Sequence, residues 1–184
     1  MTDVFTGKEK MLLLDLARQA VRNALEGGSG ESISRVKDDG FTGRLREQKG
    51  VFVAIYNRGT LRGCVGTVLE VLPLWQVCAE NARSAAIKDV RFSPITRDEI
   101  PALTFEITVI GPSRELRSIS EFRPGKDGLI LKKGFRMEAF LPGSIPNEDI
   151  FDRLRAKAGI DPGDDTPEVW EIFETEIISD KIAD

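Results

Sequence analysis

The 184-residue chain has no histidine, two cysteines and one tyrosine, and only 7% of its residues are aromatic. Without histidine there is no self-contained Cys-His dyad, because the commonest side-chain base at neutral pH is missing. Two cysteines and no histidine also fall short of the four soft ligands that a zinc site usually takes, so no metal is expected. The cysteines show no paired spacing. This excludes a disulfide framework and any iron–sulfur pattern, and reads as reduced thiols in a cytoplasmic protein. Long apolar runs are missing too: near the N-terminus only Met11–Leu14 is uniformly apolar, between Lys8, Glu9, Lys10 and Asp15. Neither a signal peptide nor a membrane span is expected. A formal charge of −4, with no aromatic residues interleaved among basic ones, counts against nucleic acid or anionic lipid as a direct ligand.

With 41% hydrophobic and 30% charged residues, the length suits one globular domain, 1–184, that buries about 70% of its unfolded surface. Thr6-Gly7-Lys8-Glu9 is a capping box. Leu13, Leu16, Ala17, Ala20, Val21, Ala24 and Leu25 then recur at helical spacing up to Gly27. Residues 27–50 form a Gly-rich loop, a lid or a disordered connector, which Ile33, Val36, Phe41 and Leu45 could anchor. Residues 51–56 read as a strand, 57–60 as a hairpin turn, and Pro73 opens a helix that carries Cys78 on its buried stripe. A third strand covers 103–110. The second half repeats the order, with a hairpin over 129–141, a helix over 147–158 and a closing strand over 169–178. The hairpins and helices are too interleaved for an all-parallel, doubly wound sheet, so the expected fold class is α+β. Two strand-strand-helix-strand repeats, with a second lobe near 125–184, would fit the same pattern.

The chemistry concentrates in Leu61-Arg62-Gly63-Cys64-Val65-Gly66-Thr67. On a strand, Arg62 and Cys64 share a face with roughly 6 to 7 Å between their Cα atoms, so the guanidinium could favour the thiolate. Cys64 is then a candidate nucleophile, with Asp89 or Glu106 to handle protons and Arg91 as a second cation. Gly63 and Gly66 could allow a ligand to approach closely. The bland readings stand beside these. A free cysteine packs as a small hydrophobe, and Asp89 with Arg91 could be a salt bridge that fixes a turn.

The same heptapeptide resembles the signature of the AMMECR domain family. Further similarities follow in order: Gly50-Val51-Phe52-Val53, Lys88-Asp89-Val90-Arg91-Phe92-Ser93-Pro94, Asp127-Gly128-Leu129-Ile130, Leu141-Pro142 and Lys157-Ala158-Gly159. The chain departs from the family pattern at Val90 and over Phe135–Ala139. The resemblance implies an AMMECR-like α+β fold, a largely antiparallel curved sheet with flanking helices, with which the pattern of elements agrees. It also implies a component of the AmmeMemoRadiSam system, with a Memo-type protein and a radical S-adenosylmethionine protein as partners. Any radical cofactor would belong to a partner, and none is expected on this chain. Three functions follow as expectations. The first is an enzyme or enzyme subunit with a Cys/Arg cleft for an anionic small molecule. The second is a non-catalytic adaptor in the same complex. The third is a component of RNA modification or gene regulation.

Overall fold

Helix α1, Gly7–Leu25, begins where the capping box places it: the Glu9 amide donates to Thr6 Oγ1 at 3.3 Å and the Glu9 carboxylate accepts from the Thr6 amide at 2.8 Å. The computed structural model describes residues 5–27, 41, 43–144, 149–161 and 163–180. The apolar stripe of α1, from Leu13 to Val21, is buried against α2, Leu74–Ile87. Helix α2 in turn packs on β1, Val51–Asn57, and β2, Thr60–Thr67. The β1–β2 turn uses Arg58 at φ 50° and Gly59 at φ 80°, the left-handed pair that a two-residue hairpin requires.

Two compact units result, Met1–Val109 with Glu176–Asp184, and Ile110–Thr175. The first holds a sheet in the order β2-β1-β3-β8, where β3 is Leu103–Ile110 and β8 is Thr175–Ser179. In the second, β4 (Arg114–Glu115), β5 (Gly128–Lys133), β6 (Arg136–Phe140) and β7 (Glu168–Phe173) order as β4-β7-β5-β6, with α3 at Ile150–Lys157. The pairs β1–β2, β1–β3, β4–β7, β5–β6 and β5–β7 are antiparallel. Each unit has its own core. Val51, Val53, Ile55, Phe105 and Ile107 lie at the centre of the first, and Leu129, Leu131, Leu154 and Ile172 at the centre of the second.

The strand-strand-helix-strand order appears twice, as β1-β2-α2-β3 and β5-β6-α3-β7, and the central strand of each trio is its first. The expected α+β class, with antiparallel sheets and flanking helices, holds, and its strands are divided between two four-stranded sheets. Two boundaries differ from the sequence reading. The second unit starts at Ile110, not near 125, and the chain returns to the first unit at Glu176. The closing strand is two strands broken at Glu174, whose carbonyl accepts from the Gly111 amide at 2.9 Å. Of the Gly-rich loop, residues 28–40 and 42, with Ile33 and Val36, lie outside the described residues. Phe41 is buried and stacks on Trp75 at 5.1 Å, and Leu45 is buried in a 3-10 turn at Gly43–Arg46.

Gly63 shows how tightly α2 presses on β2. A Cβ added there would lie 2.0 Å from the Ala85 carbonyl oxygen, a backbone atom that cannot swing aside. Gly63→Ala is therefore expected to cost about 2 kcal/mol or more, read as a lower urea midpoint with an unchanged slope. An unchanged midpoint would mean that the helix can retreat without loss.

Candidate functional site

The site is built on the outer edge of β2, the terminal strand of its sheet. Cys64 pairs with Ala54, which pairs on its other side with Glu106, so the three lie in one row across β2, β1 and β3 and share a sheet face. The Cys64 backbone amide and carbonyl are bonded to side chains that follow α2. Its N–H donates to Asp89 Oδ2 at 2.8 Å, and its C=O accepts from Arg91 Nη2 at 2.9 Å. Asp89 and Arg91 are joined in turn. Asp89 Oδ2 accepts from Arg91 Nη2 at 2.6 Å, while Oδ1 accepts from Arg91 Nε at 2.9 Å and from the Arg91 amide at 3.2 Å. One carboxylate and one guanidinium thus give Cys64 the donor and acceptor that a further strand would supply, which caps an open edge.

The structure brings Cys64, Asp89 and Arg91 together and leaves Arg62 out. The β1–β2 register shifts between Ile55, opposite Gly63, and Tyr56, opposite Leu61, so Arg62 has no partner across the ladder. That bulge breaks the two-residue alternation on which the Arg62–Cys64 pairing rested. Arg62 turns instead to Glu99, with Nε 2.7 Å from Oε1 and Nη2 3.2 Å from Oε2, and its Nη2 also donates to the Ser93 carbonyl at 3.2 Å. Glu99 was missed from the sequence. Its signal was present in Thr96-Arg97-Asp98-Glu99, a capping box in which the Thr96 amide donates to Glu99 Oε2 at 2.8 Å. Asn57 Nδ2 adds a third donor to Glu99, at 3.1 Å.

The electrostatics differ from the expected primed thiolate. Cys64 is half-buried, and burial pushes its thiol above the ordinary value. Arg91 pulls the thiol down, by charge and hydrogen bond, while Asp89 and Glu106 push it up, and the net direction is upward. Asp89 is held at about 2, first by the hydrogen bonds from Arg91 and then by the Cys64 and Arg91 amides. A carboxylate so tightly held is not a base at neutral pH, which corrects the proton-handling role expected of it. Glu99 is likewise held at about 2 by Arg62. The two glycines are also used internally. Gly63 meets α2, and a Cβ on Gly66 would lie 2.2 Å from the Phe52 ring, so neither leaves the gap expected for a ligand. Cys78 is fully buried, with its thiol pushed up to about 12, and packs as the sequence indicates. Among the described residues no group of three or more metal-ligating side chains occurs, and no helix is long and apolar enough to cross a membrane.

Asp89 carries a pH signature. Its folded pKa lies below the ordinary carboxylate value, so the stability it gives is present above that value and is lost as pH falls from about 4 towards about 2. Asp89→Asn should therefore lower Tm near neutrality, and its deficit against the parent chain should shrink across that window in thermal melts. A deficit that does not change with pH would show that Asp89 acts through shape alone.

Known proteins are similar to this chain in sequence and, in one solved structure, in fold. The AMMECR1 family profile matches residues 14–178. A Thermotoga maritima protein is 35% identical over 131 residues, covering 68% of this chain and 75% of that protein. A Nanoarchaeum equitans protein is 34% identical over 149 residues, covering 77% and 79%. A Saccharolobus islandicus protein is 30% identical over 151 residues, covering 76% of this chain and 64% of its own length, so the chain spans less than two thirds of that relative. The crystal structure of protein PH0010 from Pyrococcus horikoshii superposes with a TM-score of 0.74 at 27% identity, over 90% of this chain and 88% of that one. A match across both units, with relatives in bacteria and archaea and an AMMECR-like fold, means that the chain belongs to the AMMECR1 family.

Proposed function

We propose that this chain is a binding subunit of an enzyme assembly, receiving an anionic small molecule on Arg91 beside a neutral Cys64 thiol, while bond-making chemistry is supplied by partners. The observation that carries this reading is the state of Arg91. Its side chain is 58% exposed, yet Nε and Nη2 are fixed by Asp89 and the Cys64 carbonyl. Nη1 makes no ion pair and no bond to a backbone or carboxylate oxygen among the described residues, and the Cys64 thiol is the one side chain that the guanidinium meets on its remaining side. A preorganised guanidinium of this kind suits a carboxylate or phosphate oxygen. The partners in this proposal are the Memo-type and radical S-adenosylmethionine proteins that the sequence resemblance implies, in a cytoplasmic setting where both thiols stay reduced.

A non-catalytic adaptor is the second reading, and one observation favours it. Val90, between the two clamp residues, is 97% exposed, an apolar side chain presented at the apex of the turn.

The two roles of Cys64 separate in an alkylation profile. Iodoacetamide should label Cys64 with a midpoint above that of a free thiol and leave Cys78 unlabelled in the folded chain. Arg91→Gln should move the midpoint higher still and abolish binding of a small anion, which isothermal titration can follow. Labelling of Cys64 faster than a model thiol at neutral pH would overturn the proposal in favour of a nucleophile.

A further inference from the structure

The second unit contains a groove of about 480 Å³ that the Cys64 edge does not use. Its size falls in the range of small-molecule sites. Leu116, Ile119, Phe151 and Trp170 give it an apolar wall, and Arg117 and Asp149 line the same space. The fold fixes that wall. The Leu116 amide donates to the Trp170 carbonyl at 2.8 Å, extending the β4–β7 pairing, and the Phe151 ring meets Trp170 edge-on at 5.1 Å between centroids.

Most charges nearby are already committed. Arg155 lies over the Trp170 ring at 5.1 Å and pairs with Glu168 at 3.0 Å and Asp152 at 2.8 Å, while the Trp170 indole N–H donates to Glu168 at 3.0 Å. Two charges are left over. Arg117 is exposed, and it makes no ion pair or side-chain hydrogen bond among the described residues. Asp149 opens α3 in the left-handed region at φ 64°, and its side chain makes no capping bond and no ion pair among those residues. The opposite charges line one aromatic-walled groove and do not pair with each other.

We propose that this groove binds a free aromatic amino acid, or a zwitterion of the same form, with its carboxylate on Arg117, its ammonium on Asp149 and its ring against Phe151 and Trp170. A ligand with only a negative charge leaves Asp149 unpaired and facing it. One with only a positive charge does the same with Arg117. A zwitterion satisfies both, and the apolar wall supplies the desolvated surface for the ring.

The test follows the Trp170 indole N–H signal by NMR, assigned with Trp75→Phe, while L-phenylalanine, L-phenylalaninamide and 3-phenylpropionate are titrated in turn. L-Phenylalanine should saturate the shift and bind about three- to fivefold more tightly than either analogue, the worth of one partly exposed ion pair. Arg117→Gln should erase the preference over the amide and keep the preference over phenylpropionate. Asp149→Asn, which tolerates the left-handed backbone, should do the reverse. The proposal is overturned by absence of a saturable shift, by equal binding of the three probes, or by preferences that neither substitution alters.

Discussion

The Cys64 site depends on one carboxylate filling the open edge of a strand. β2 ends its sheet, and an uncapped edge amide invites either water or another chain. Asp89 answers the Cys64 amide and at the same time orients Arg91, whose guanidinium answers the Cys64 carbonyl. The helix that carries this pair to the edge is itself held by Gly63, where the lack of a side chain lets the α2 backbone reach the strand. Without Asp89, Arg91 loses the group that orients it, and a side chain at Gly63 would push α2 from the strand that the pair caps. The same arrangement explains why Asp89 stays ionised while the thiol next to it does not ionise readily.

The topology explains why such an edge exists. Each unit builds a three-stranded antiparallel trio with its first strand in the centre, and each completes it with a strand from elsewhere in the chain: β8 joins β3, and β4 joins β7. Both added strands lie beside the third strand of the trio. The second strand therefore remains terminal in both sheets, β2 in one and β6 in the other. Only β2 carries a cysteine there, and its edge bonds are satisfied by side chains from the turn after its own unit's helix.

How much of this was legible in the sequence depended on the range of the interaction. Local rules placed α1, the Arg58-Gly59 turn, the 103–110 strand and the burial of Cys78, because capping, turn chemistry and period act within a few residues. The Arg62 bulge was not legible, since it is a property of register between two strands and not of either one alone. Its partner Glu99 lies 37 residues away, and only the Thr96-Glu99 cap hinted that this carboxylate was engaged. The two-residue β4 is too short to show alternation, and the break at Glu174 between β7 and β8 carries no glycine or proline to mark it. Within the site, the sequence singled out Cys64, Asp89 and Arg91 and placed Arg62 ahead of Arg91 as the cation beside the thiol, the reverse of the order in the structure.

That exchange of arginines changes the chemistry. Arg91 lowers the thiol, but Asp89 neutralises much of its charge, and Glu106 opposes it from the same sheet face. An anion that settles on the free side of Arg91 brings further negative charge towards Cys64. By linkage it raises the thiol again, and a thiolate would weaken the anion by the same factor. Anion capture and thiolate formation at this edge therefore oppose each other. A nucleophile that must hold an anionic substrate through the one cation activating it works against itself, whereas a neutral thiol beside a bound anion does not. This opposition is the electrostatic argument for the proposed role of the edge, holding an anion and not attacking it.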